Sequence, residues 1–529
     1  MTWKLDARLT NATVLTMDTR HPVATTVGIW NGLVVGVDDA VTELPARQEV
    51  DLGGATVVPG FIDAHVHLAW AGTGMRSVSI GSCERIEDVL RVIAKAAGER
   101  GQDEWLDVVG YDQRPLGRHL TVDELDAAGG GRKVFVVHDS GHACVVSSAV
   151  LRMLPVDVEH HQGVLAESGM AAVRELRQPY ALDELVDAIE AAGRQCLAEG
   201  ITTVAEAGIG GGLISHSGVE LDAYQRAQEQ GRLPLRVQLM IAADALHEVA
   251  AHPADGVTRA LDLGLRTGFG GDRLSIGPLK IWTDGGMMPR TAALTEPYVG
   301  LDHSGQFYRD PDVLVQQMVD GHRAGWQLAV HAIGDRAVDL ALAGLERAQA
   351  EHPRAAARHR IEHAGLVRPD QLPRLAALGA AAVVQPNFLT YLGDDYAAVM
   401  GESRAPWLYR GKAFLDAGVP LVGSSDRPVT DGAPLRAMQF MVERRTAAGL
   451  TVGPDESITV LDALQAYTAT AAWACRAEDR IGSISPGKRA DLVVLDADPR
   501  AVDTARLGEL RVRATLLDGR VAHGDSLGL

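Results

Sequence analysis

Two histidines one residue apart, His65 and His67, close an apolar run that Pro59 and Gly60 open. On a strand, residues i and i+2 face the same way, so both imidazoles are placed to bind one metal ion. Three more polar residues each follow a short apolar run: His331 in A-V-H-A-I-G-D, His363 in R-I-E-H-A and Asp426 in V-G-S-S-D-R-P. Neutral imidazole nitrogens with a carboxylate suit zinc and leave room for water. Lys280 ends another apolar stretch, G-P-L-K-I-W-T-D-G. A buried ammonium beside a cation is strongly disfavoured. Such a lysine loses its proton or reacts with carbon dioxide to give a carbamate, an anionic oxygen donor that can bridge two metals; otherwise its head reaches solvent or Asp284. A metal lowers the pKa of its water toward 7 and polarises a scissile carbonyl. A carboxylate in reach of that water shuttles its proton.

Other residues are candidates for substrate contact. Arg290 is expected to meet a carbonyl or carboxylate, or to form a structural salt bridge. His138 and His142 are expected to line the pocket, and Met287 and Met288 to favour an apolar substrate group. Gln385 and Asn387 end a strand and are expected to hydrogen-bond substrate. Glu206, at another strand end, is expected to orient a metal-bound histidine. Asp335 is expected to cap the helix after His331. Glu362 adjoins His363 but falls on the opposite strand face, which predicts a structural role.

The elements that must position these residues alternate along the chain. Short apolar strands are predicted at Val57–His67, Ile201–Ala207, Leu235–Ala242, Ile276–Thr283, Gln327–His331, Arg360–His363, Ala381–Pro386 and Leu421–Ser425. Helices fall between most of them, with Leu182, Leu185, Val186, Ile189, Cys196 and Leu197 on one stripe before Gly200, and similar periods over Ala337–Ala348 and Ile458–Ala474. Eight such strands predict an α/β fold, a (β/α)8 TIM barrel over 57–478. About 130 residues separate the first two strands, too many for a βα connection. Residues from about 74 to 179 are therefore expected to form an inserted subdomain, part of the pocket or its lid. Both chain ends read as β: Leu9–Met17, a hairpin across Asn31-Gly32, Ala490–Leu495 and a hairpin across Asp518-Gly519. Residues 1–56 and 479–529 are expected to join in one small β-sandwich.

Acidic residues outnumber basic ones, 69 to 50, for a formal net charge of −19. That balance gives no electrostatic footprint for nucleic acid or anionic lipid. No apolar run is long enough for a membrane span, and the first twenty residues lack a signal-peptide core. Cys83, Cys144, Cys196 and Cys475 are scattered and read as reduced thiols. The expectation is a cytoplasmic protein acting on a small molecule, with neither nucleic acid nor membrane as a partner and a homo-oligomer, a dimer, as the candidate assembly.

The set P-G-F-I-D-A-H-V-H, H-A-I-G-D, R-I-E-H-A, G-S-S-D-R-P-V and G-S-I-S-P-G-K-R-A-D-L-V-V-L resembles the metal-dependent amidohydrolase superfamily. K-I-W-T-D-G followed by R-T-A-A-L, and L-D-A-A-G-G-G-R-K-V-F-V-V-H-D-S-G-H-A, are similar to its family 3 branch, which includes N-substituted formamide deformylases. The resemblance spans nearly the whole chain. It implies a zinc-type centre in which His65, His67 and Asp426 hold a first ion and His331 and His363 a second, with Lys280 as carbamate bridge. It also implies that Asp426 takes a proton from the activated water and delivers it to the leaving group. The reaction implied is hydrolysis of a C–N bond in an amide, N-formyl, carbamate or cyclic amide. The alternative is a one-metal deaminase-type hydrolase of an amidine or heterocyclic amine, with Lys280 unmodified and His363 orienting water or substrate. Two departures bear on the substrate: Gly285-Gly286-Met287-Met288-Pro289-Arg290 stands where relatives carry a G-S-L-G-S-R type run, and Ser147 where an Asn is usual.

Overall fold

The computed structural model describes residues 3–138, 143–156, 158–166, 168–211, 215 and 217–527. The chain divides into two compact units, Met1–Leu68 with Ile189–Leu529, and Ala69–Ala188. In the larger unit eight strands follow one another in chain order around a single sheet. They are β1 (Phe61–Val66), β2 (Ile201–Ile209), β3 (Arg236–Ala242), β4 (Leu274–Trp282), β5 (Leu328–Ala332), β6 (Arg360–His363), β7 (Ala381–Val384) and β8 (Leu421–Gly423). Every neighbouring pair is parallel. β1, β2, β3, β5, β6, β7 and β8 are buried throughout, as expected of parallel strands covered on both faces.

β8 and β1 meet through residues just beyond the ladder. Asp426 N–H donates to His65 O (2.8 Å) and His67 N–H to Arg427 O (2.8 Å). The Asp63 carboxylate accepts from Ser425 N–H (3.0 Å) and Ser425 Oγ (2.5 Å). Lower in the seam, Ile62 N–H donates to Tyr467 O (2.8 Å), and Tyr467 Oη donates to Ser424 O (3.1 Å). Tyr467 is free to do this because the helix predicted over Ile458–Ala474 is broken in two, Val460–Ala466 and Ala469–Ala474, with Thr468 outside helical geometry. Periodicity continues across the break, so the sequence pattern does not reveal it.

Two predicted strands also divide. Val57–His67 becomes Thr56–Pro59 in a different sheet and β1 in the barrel, separated by Gly60. A Cβ on Gly60 would lie 2.2 Å from Thr202 Oγ1, so only glycine fits this crossing. Leu9–Met17 breaks at Asn11 (φ 52°) into the end of Leu5–Thr10 and Thr13–Leu15, again in different sheets. Both runs are apolar on either side of the break, which hides the change of sheet.

The unit Ala69–Ala188 contains a five-stranded sheet in the order Val164–Ala166, Ala143–Val146, Lys133–His138, Trp105–Tyr111, Val78–Ser79. Val89 and Ile93 of the helix Ile86–Gly98 pack with Leu106, Val108, Val134 and Val136 of the sheet. Among the described residues no helix is long and apolar enough to cross a membrane.

Both chain ends meet in a six-stranded sheet, where Leu492–Leu495 runs antiparallel to Thr56–Pro59. A four-stranded sheet from residues 5–51 shares its apolar core, with Leu9, Val27, Ile29, Val57, Leu492, Val494 and Leu516 in one cluster. Arg236 at the start of β3 ties this region to the barrel. It donates to Asp491 (2.7 and 3.1 Å) and to Asp518 (2.5 Å), and Asp491 also accepts from Asp518 N–H (2.9 Å). Removing Asp491 leaves the buried Arg236 guanidinium with Asp518 as its carboxylate partner. Asp491→Ala is expected to lower unfolding free energy by about 3 kcal/mol in urea titration. Replacing both residues, Arg236→Met with Asp491→Leu, is expected to cost less than that single change.

Candidate metal centre

β1 delivers its histidines through a bulge. Val204 of β2 pairs with Asp63 and Glu206 with Val66, so three steps of β1 oppose two of β2. Such an extra residue re-aims side chains near a strand end. The His65 and His67 rings meet edge to face at 5.6 Å, and their Nε2 atoms lie 3.3 and 3.1 Å from Asp426 Oδ1. Behind His65, Nδ1–H donates to Glu362 Oε2 (2.5 Å). Arg360 donates to both Glu362 oxygens (2.7 and 2.9 Å) and to Ala64 O (2.6 Å). This fixes the tautomer and leaves the His65 Nε2 lone pair facing Asp426.

The placement of Glu362 corrects the expectation drawn from strand alternation. Glu362 does reach the cluster, because His363 has φ 71° and leaves the β conformation. Both neighbours therefore approach His65, Glu362 at Nδ1 and His363 with its ring 4.8 Å away. The available signal was the pair Arg360 and Glu362, two opposite charges at i and i+2 in a buried run.

His363 Nδ1–H donates to Gln385 Oε1 (2.8 Å), and Gln385 Nε2 donates to Ser424 Oγ (2.8 Å). Both ends of the Gln385 amide are thus engaged within the protein, and its oxygen orients the His363 ring. The His331 ring lies 4.4 Å from that of His363, with Nε2 3.2 Å from Gly285 O and 3.4 Å from Asp284 Oδ1. Asp284 accepts backbone N–H bonds from Ile333 (3.1 Å), Gly334 (2.9 Å) and Ala293 (2.9 Å), pinning the loop after β4 to the loop after β5. A Cβ on Gly334 would lie 1.9 Å from Ala293 O, which accounts for the glycine of H-A-I-G-D. Lys280 is buried, with Nζ 3.4 Å from His65 Nε2 and 5.6 Å from the Trp282 ring centre.

Ligand atoms of His65, His363 and Asp426 all lie within 4.8 Å of one another. Asp426 Oδ1 is buried and makes no hydrogen bond there, although two imidazole nitrogens face it. A carboxylate oxygen facing the Nε2 lone pair of His65, with the outer nitrogens of His65 and His363 already engaged, is a donor set that fits a divalent cation. Burial opposes ionisation of Asp426, but His65 and His67 beside it hold its carboxyl well below the usual range. Burial lowers both His65 and His363, keeping them neutral. Burial also disfavours protonation of His67, yet Asp426 and Glu206 raise it to about 9. Burial brings Lys280 down to about 8.

The weaker candidates separate. Glu206 Oε1 lies 3.8 Å from His67 Nδ1 while Oε2 accepts from Leu68 N–H (2.7 Å) and Tyr224 Oη (2.5 Å), a supporting position. Arg290 is engaged by Asp395 (2.6 and 2.7 Å) and by Met287 O (2.8 Å), the salt-bridge outcome. Met287 is buried and Met288 half exposed on the same turn. Asn387 donates to Asp431 O (2.6 Å) and leaves Oδ1 buried without a partner. Asp335 opens its helix but accepts from Thr295 N–H (2.9 Å) and Arg368 (3.1 Å), so it anchors a neighbouring loop and does not cap. His138 lies in the unit Ala69–Ala188, 2.6 Å from Gln113 Oε1. Ser147 bonds Arg132 O (2.8 Å) and Val134 N–H (3.0 Å) within that unit. His142 lies outside the described residues.

Comparison with known proteins agrees with this geometry. The amidohydrolase family model matches residues 48–523. The chain is 29% identical to an N-substituted formamide deformylase of Arthrobacter pascens, over 98% of each chain. It is 28% identical to a metal-dependent hydrolase of Pyrococcus furiosus whose crystal structure superposes with a TM-score of 0.77, covering 93% of this chain and 99% of that one. A zinc-complexed atrazine chlorohydrolase of Arthrobacter aurescens, 15% identical with a TM-score of 0.55 over 98% and 96% of the chains, shares the fold. The chain belongs to the amidohydrolase family and is a metal-dependent hydrolase acting on carbon–nitrogen bonds.

Proposed function

We propose that the enzyme hydrolyses the C–N bond of an amide, N-formyl compound or related carbamate or cyclic amide, using zinc held by His65, His67, His331, His363 and Asp426. The observation that carries this is the buried cluster of His65, His363 and Asp426, whose ligand atoms all lie within 4.8 Å of one another. Full-length similarity to a formamide deformylase supports the substrate class. In this reading His65, His67 and Asp426 would hold one ion and His331 and His363 a second. Lys280 would contribute as a carbamate, formed when its neutral Nζ adds to the carbon of carbon dioxide and releases a proton, and would supply an anionic oxygen donor. Burial of Lys280 favours the neutral amine that this addition needs.

When bound, divalent cations acidify water and polarise a carbonyl oxygen. The protein's own groups do the rest. Glu362 and Gln385 keep the His65 and His363 rings in one tautomer and orientation. The Asp426 carboxylate takes a proton from the attacking water and hands it to the nitrogen of the departing amine. A second reading, a one-metal deaminase acting on an amidine or heterocyclic amine, is favoured by one observation: His331 Nε2 faces Gly285 O and Asp284.

Elemental analysis of purified protein is expected to give about two zinc ions per chain; one would move the assignment to the deaminase reading. Asp426→Asn is expected to lower kcat about 10²- to 10⁴-fold while metal stays bound. Near-normal turnover would remove its proton-transfer role. Glu362→Gln is expected to weaken metal binding about 10- to 100-fold in a chelator competition. Lys280→Ala is expected to lose one metal equivalent and to regain part of it with added short carboxylic acid; unchanged metal content would exclude the bridge.

A further inference from the structure

One polar group beside the C-terminal end of β6 has no assigned task. Tyr409 is 2% exposed, and its hydroxyl is buried without a hydrogen-bond partner. Buried hydroxyls are nearly always satisfied, so this one calls for an explanation. Its position is tightly held. Tyr409 N–H donates to Gly365 O (2.8 Å), two residues beyond His363, which sets it at the C-terminal end of β6. That is the face where barrel enzymes build their active sites. Fully buried Arg444 donates to Tyr409 O (2.7 Å), Leu408 O (2.9 Å) and Val452 O (2.9 Å). The backbone is in the left-handed region, φ 42°, which a bulky residue rarely adopts. The Tyr409 ring stands edge-on to Phe388 at 5.7 Å, and Phe388 lies parallel to the His363 imidazole at 6.4 Å. Burial, with the charges of Asp426 and Asp284 adding to it, pushes the phenol well above its usual range and keeps it protonated.

We propose that the Tyr409 hydroxyl donates a hydrogen bond to the acyl oxygen of the substrate amide, orienting the carbonyl for attack. The inference rests on the amide reading above and adds a residue to it. A donor whose partner arrives only with substrate explains both the unpartnered hydroxyl and the clamped, strained backbone that aims it. Neutral O–H is the form required, since a phenolate would repel the oxygen it is meant to bind.

Tyr409→Phe removes the hydroxyl and keeps the ring. With N-methylformamide as substrate, kcat/KM is expected to fall about 10²- to 10³-fold, the usual loss for one such donor. Zinc content is expected to stay the same, and Tm to stay level or rise, because the variant deletes an unsatisfied buried group. A structural role would instead lower Tm. In the Asp426→Asn background, calorimetric Kd for N-methylformamide is expected to weaken at least fivefold when Tyr409→Phe is added. If wild type is active and Tyr409→Phe keeps kcat/KM within threefold, the Tyr409 assignment is overturned while the amide reading stands. If wild type hydrolyses no amide but binds one, and Tyr409→Phe weakens that binding, the hydrolytic reading fails and the contact survives. If wild type neither binds nor hydrolyses amides, both are overturned.

Discussion

The seam between β8 and β1 is the constraint on which the site depends. A barrel sheet closes only when its first and last strands are brought together. Here the joining bonds come from Asp426 N–H to His65 O and from His67 N–H to Arg427 O, and three of these residues, His65, His67 and Asp426, also bring their side chains into the cluster. The separation of His65 and Asp426 is thus set by a backbone bond as well as by rotamers. Asp63 braces the seam from within, and its cost is visible: burial pushes its carboxyl up to about 6, despite Ser425 and Arg427 beside it.

A second constraint is charge in the barrel interior. Arg360 and Glu362 are both fully buried, and such a pair adds little net stability once desolvation is counted. Its use lies elsewhere. Glu362 holds the Nδ1 proton of His65, and Arg360 keeps Glu362 ionised against the opposing effect of burial. Gln385 does the same for His363 without charge, passing the constraint on to Ser424. The imidazoles are oriented by bonds that lie behind them, in the walls of the barrel.

Much of this was legible in the residue pattern. Strand-ending His65, His331, His363 and Asp426 carry chemistry at the ends of apolar runs, and the structure gathers them at one end of the sheet. What escaped was local backbone geometry. Alternation placed Glu362 away from the site because a regular strand was assumed through His363, whose φ is 71°. The bulge in β1, the crossing at Gly60 and the helix break at Tyr467-Thr468 are equally invisible to periodicity, since apolar residues continue through each. Arg444 and Tyr409 gave no signal at all, for their roles arise from carbonyls and rings distant in sequence.

The pairing of Thr56–Pro59 with Leu492–Leu495 also orders events during synthesis. The segment feeding β1 emerges early, yet one of its ladder partners is made more than 430 residues later. Until then its edge is an open row of amide and carbonyl groups, flanked by apolar Val57 and Val58 and prone to pairing with other chains. Contacts of such long sequence separation form slowly. Completion of this sheet therefore waits on residues made after all eight barrel strands.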